Sequence, residues 1–211
     1  MKTDDLIRAL AADTARPIAP RSLLLLGLLP SLAIAVLAVW FSLGFRSDLA
    51  TAMTTPVSVV RILLTGILGL AATRLALLLA RPEGATTARL WPLAAIAVAA
   101  LGLLFWAYVS TPADARQMAI VGKTMTTCLV TIPLLSILPV GSLHVMLRRA
   151  ATTAPAKAGF VAGLAGSGFA AAVYALHCTE DSPLFYVTWY GLAIMGVAVV
   201  SAMIGARSLR W

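Results

Sequence analysis

Charge is scarce in this sequence. Only 11% of its 211 residues are charged, against about 25% in an ordinary soluble domain. A water-facing surface over most of the chain is thereby excluded. No Asp or Glu falls inside the long apolar runs described below, which argues against a proton-coupled transporter. Cysteine is limited to Cys128 and Cys178, with no C-x-x-C pair. A quinone-linked thiol oxidase needs further cysteines to relay electrons. There is no nucleophile–base constellation and no phosphate loop, so the chain is not read as an enzyme, and no resident cofactor is expected. The first twenty residues are polar and include Asp4, Asp5 and Asp13, unlike a cleavable signal peptide.

What is abundant is apolar residue: 61% of the chain, with a mean hydropathy of +0.95. Six runs stand out, at Ser22–Gly44, Val57–Leu79, Trp91–Ser110, Thr124–Leu147, Ala158–Leu176 and Leu184–Ala206. Each is long enough to cross roughly 30 Å of hydrocarbon at about 1.5 Å per residue. The expected fold is all-α, a polytopic membrane protein with a six-transmembrane-helix bundle and a short cytoplasmic N-terminal amphipathic helix. Residues 1–21 form the partner-binding segment and residues 22–211 the membrane domain. Pro56, Pro155 and Pro183 stand at helix starts, where the missing N–H is not needed.

The formal net charge is +8. Its distribution points to lipid rather than nucleic acid. The leader, the second and fourth loops and the tail hold eleven Lys and Arg, and the opposite loops hold only Arg46, Arg116 and Lys123. That bias predicts cytoplasmic N- and C-termini. Arg61 and Arg74 lie inside the second run, a few residues from its ends, and snorkelling accounts for them. Pro133 and Pro139 are expected to bend the fourth helix. Gly159-x-x-x-Gly163, followed by Ser167, forms a small-residue stripe suited to close packing within the bundle. His144 reads as a packing residue.

The same topology brings Cys128 and Cys178 to similar depth near the outer face. Three readings stay open: inert apolar side chains, a structural disulfide, or a thiol pair sensing oxidants or soft metals. His177 adjoins Cys178 and could serve as a third ligand, giving a transient heavy-metal site of Cys128, Cys178 and His177. Glu180 and Asp181 add local negative charge that could attract cations. At the other end, Thr3 can cap a helix with Asp4 and Asp5 in its first turn. Leu6, Ile7 and Leu10 share one face, with Arg8 elsewhere. So short a helix gains stability by docking on a partner protein or by resting on the inner membrane surface, and its three acids favour the partner.

The leader TDDLIRALAAD from Thr3 to Asp13 resembles the start of the NrsF family. The segments LPVGSLHVMLRR from Leu138 and LHCTEDSP from Leu176 are similar too, as is the closing Leu209-Arg210-Trp211. These motifs cover about a quarter of the chain. The resemblance implies an integral-membrane anti-sigma factor of the bacterial inner membrane that sequesters an extracytoplasmic-function sigma factor and releases it under heavy-metal or oxidative stress. It also implies that Cys128 and Cys178 serve that response and that the leader contacts the sigma factor. A small transporter or thiol-redox protein for metals or quinone is the competing class. Replacing Leu6 and Leu10 by Asp together should abolish co-purification of the sigma factor from detergent extract. Unchanged recovery would remove the leader from the contact.

Overall fold

The computed structural model describes Thr3, residues 20–81 and residues 90–210. The leader positions Asp4, Asp5, Leu6, Ile7, Arg8 and Leu10 lie outside the described residues, as does most of the loop after Arg81. Among the described residues the regular elements are α-helices. They are α1 (Pro20–Ser42), α2 (Leu49–Ala52), α3 (Pro56–Leu79), α4 (Trp91–Ser110), α5 (Arg116–Val121), α6 (Met125–Arg148), α7 (Pro155–Tyr174) and α8 (Pro183–Ser208). Helices α1, α3, α4, α6, α7 and α8 are long and apolar enough to cross a membrane, as the six runs predict. Six crossings put residues 20 and 210 at the same end. The connections 43–55, 111–124 and 175–182 meet at the other, here called the thiol end.

Lipid offers no hydrogen bonds, so a spanning segment must pair its own backbone, and a helix does so along its whole length. Helix α6 runs unbroken through Pro133 and Pro139. The sequence did not betray α2 and α5, short helices that fold within the thiol-end connections. The seventh helix ends at Tyr174, two residues before the apolar run does.

Helix α7 is the hub. It packs on α3, α6 and α8, and 67% of its most apolar window is buried, against 6% for α4. Its sequence explains this position. A Cβ on Gly163 would lie 2.6 Å from the Ala198 Cα of α8, and one on Gly159 would lie 2.5 Å from the Ser201 carbonyl. On the opposite side, a Cβ on Gly168 would lie 3.0 Å from the backbone nitrogen of Gly69 in α3. The expected stripe therefore packs inside the bundle. Where apolar burial cannot drive association because lipid is equally apolar, such backbone approach and interhelical hydrogen bonds do. His144 supplies one such bond. Its Nε2 lies 2.9 Å from Ser201 Oγ, which donates to the Gly159 carbonyl at 2.6 Å. The single Ser201 proton goes to that carbonyl, so Nε2 carries a proton and donates it to Ser201 Oγ. Gly163→Leu should separate α7 from α8 and lower stability by about 1–3 kcal/mol, read as a falling melting temperature in detergent. Gly102→Leu, at an open position on α4, serves as the control and should leave the melt unchanged.

Candidate functional site

The thiol end is built around a charge that does not belong in an apolar helix. Arg61 sits five residues into α3 and is only 1% exposed. Its guanidinium donates to the carbonyls of Ala175, Cys178 and Glu180 and lies 3.5 Å from Asp181 Oδ1. Snorkelling is thus overturned for Arg61. The side chain turns inward, because the end of α7 leaves carbonyls without helical partners and a buried cation must be matched. Arg74 remains exposed, in keeping with the sequence reading.

Arg46 closes the clamp from the α1–α2 connection. It binds Asp48 through Nε (2.7 Å) and Asp181 through both terminal nitrogens (3.0 Å each), and donates to the Cys178 carbonyl at 3.3 Å. Ser58 Oγ donates to Asp181 at 2.9 Å. Burial alone would raise the Asp181 carboxyl. The bonds from Arg46 and Ser58 and the charge of Arg61 outweigh it and hold the group below the usual carboxylate range. The bond from Arg46 lowers Asp48 likewise. Glu180 is also engaged: its carboxylate accepts from the Lys123 backbone N–H at 2.7 Å. The acids of this loop therefore neutralise the protein's own donors and are not a free cation-attracting patch.

Gly122 makes that last contact possible. Its φ of +58° favours glycine, and a Cβ there would strike the Phe185 ring and the Glu180 carboxyl. Gly44 turns the chain after α1 with φ +74°, as a helix-ending glycine does. His177 Nδ1 donates to the Gly44 carbonyl at 2.8 Å, since a carbonyl can only accept.

Beneath this clamp lie the two cysteines, both free thiols and both buried. Cys128 on α6 and Cys178 after α7 are neighbours, close enough for the two thiols to influence each other's titration. Cys128 Sγ donates to Tyr174 Oη at 3.5 Å, and Cys178 Sγ lies 3.9 Å from Thr124 Oγ1. Tyr174 and Tyr190 pack with ring centroids 5.7 Å apart. The neighbouring Cys128 thiol and the Arg61 charge hold the Cys178 thiol below its ordinary range, against the effect of burial. The sequence expectation that the two cysteines share a depth is met. The three-ligand metal set of Cys128, Cys178 and His177 is not. His177 is tied to Gly44, and among the described residues no three His, Cys, Asp or Glu side chains gather in a metal-binding group. Sequence reasoning also missed Arg46, Ser58, Tyr174 and Tyr190. The available signal was an arginine inside an apolar run together with an acidic loop lacking its own base.

These features define a class: an all-α polytopic membrane protein whose most elaborate polar site is a buried dithiol under an arginine clamp. The family described as negative regulator of sigma F matches residues 9–211. The anti-sigma-F factor NrsF of Caulobacter vibrioides is 36% identical over 217 residues, covering both chains completely. The probable anti-sigma-F factor NrsF of Azospira oryzae is 33% identical over 220 residues, again with full coverage of both. No solved structure matches. The chain belongs to the NrsF family of anti-sigma-F factors, whose role is regulatory and whose partner is a sigma factor.

Arg61→Leu leaves the Ala175 and Glu180 carbonyls without their arginine donor and takes one of two cations from Asp181. It should cost about 3–5 kcal/mol, and Ser58→Ala, which removes one bond to the same carboxylate, about 1–2 kcal/mol. Thermal melts in detergent compare them, and equal effects would contradict the clamp.

Proposed function

We propose that this protein holds an extracytoplasmic-function sigma factor at the bacterial inner membrane through its cytoplasmic leader, and releases it when the Cys128–Cys178 pair reacts. In this reading the termini are cytoplasmic and the thiol end faces outward, in line with the eleven basic residues on the terminal side. The observation that carries the proposal is the pairing of two free thiols directly under a network that ties Cys178 to other parts of the bundle. The Cys178 carbonyl accepts from Arg61 on α3 and from Arg46 beside α1. Helix α1 follows the leader in sequence.

Two stimuli suit this chemistry. A two-electron oxidant joins the sulfurs, taking two electrons as both thiol protons leave. A thiophilic cation bridges the two sulfurs as thiolates, with the same loss of protons. Either draws Cys178 toward Cys128, and its carbonyl must move against both arginines. Inverting a two-state population from 1:99 to 99:1 takes about 5.5 kcal/mol of differential binding, within reach of a dithiolate site. His177 has no part in this site, and the acidic loop does not recruit the cation.

Cys128→Ser combined with Cys178→Ser should preserve sigma-factor retention and abolish its release by cadmium or a thiol oxidant, measured by pull-down of the full-length chain with and without stimulus. Release undiminished in the double variant would refute the thiol sensor while leaving the anti-sigma role intact.

A further inference from the structure

The lipid-facing side of the bundle carries an apolar groove of about 700 Å³ between α6 and α8. Ile137 and Gly141 line one wall, and Gly196, Val200 and Ile204 the other. The two glycines create the depression: a Cβ on either would meet nothing within 4 Å. The polar side chains in the groove are largely engaged. His144 Nε2 and Ser201 bond to each other, and Ser136 donates to the Pro133 carbonyl; His144 Nδ1 alone is buried without a partner. The surface offered to an occupant is therefore almost entirely hydrocarbon.

The groove does not end in hydrocarbon. Val200 and Ile204 also line a second depression, which continues to Arg207 and Arg210. On α6, Arg148 lies one turn beyond His144. Both walls thus terminate in exposed arginine at the end opposite the thiols. Among the described residues, ion pairs form only at Arg46 and Arg61, so these three arginines have no carboxylate partner there. Eleven residues separate Gly196 from Arg207, about 17 Å at helical rise. Half of a hydrocarbon core is about 15 Å. A chain seated in the groove would place its head group at the arginines.

We propose that the α6–α8 groove binds an anionic phospholipid, one acyl chain lying along Gly141 and Gly196 and the phosphate meeting Arg207 and Arg210. Charge decides between this occupant and a second copy of the chain. A parallel copy would bring its own arginines against these, whereas an anionic head group neutralises them. The site is independent of the thiol pair, which lies at the other end of the bundle.

The full-length chain is purified in detergent and titrated with phosphatidylglycerol or with phosphatidylcholine of matched palmitoyl-oleoyl chains, and bound lipid is counted by native mass spectrometry. The native chain should retain phosphatidylglycerol selectively. Arg207→Gln with Arg210→Gln should weaken that retention on the order of twentyfold, from about fivefold per basic residue. Gly141→Leu with Gly196→Leu fills open space without touching an arginine, and leucine favours the helix over glycine. It should weaken phosphatidylglycerol comparably while leaving the melting temperature at or above native. Equal retention of the two lipids overturns the proposal. So does undiminished phosphatidylglycerol in either double variant. A native dimer that the glycine variant dissociates, with lipid unaffected, would assign the groove to a second copy instead.

Discussion

The Arg61 guanidinium is the constraint on which the thiol end depends. A cation cannot be left unmatched inside an apolar bundle, and α3 contains no acid to match it. Its partners come from elsewhere, as three carbonyls near the end of α7 and the Asp181 carboxylate. Satisfying this one side chain fixes the 175–182 connection onto α3. Arg46 then ties the same connection to the end of α1. Two cations share Asp181, with Asp48 as the second anion, so the cluster balances its charge within the protein.

The hub position of α7 meets this constraint from within the membrane. Glycines at 159, 163 and 168 let α3 and α8 approach its backbone, which leaves little room for the helix to slide. The helix is held by its glycines, and the connection beyond Tyr174 is held by the arginines. Cys178 is placed on that connection, while Cys128 is anchored on α6. A reaction that shortens the distance between the sulfurs therefore loads the arginine clamp before it loads the glycine seam.

The residues differ in how far the sequence disclosed them. The small-residue stripe was legible because side-chain size alone dictates how closely backbones approach. The shared depth of the cysteines followed from counting along antiparallel spans. Arg61 was misread, because its position near a helix end is the same whether the side chain reaches outward to head groups or inward to carbonyls. Glu180 and Asp181 looked free because their donors lie 57 or more residues away in sequence. His177 looked like a ligand by adjacency, yet the turn after α7 points its ring at Gly44.

The number of long apolar helices, the positions of the apolar spans and the crowding of basic residues at one end were determined by the sequence alone. Each reflects a transfer free energy, which depends on composition within a short window. Which charges meet, which thiols touch and which lipid-facing walls form a groove were decided only by the tertiary structure. Those contacts depend on the rotation of each helix about its axis and on its neighbours, and hydropathy carries no information about either.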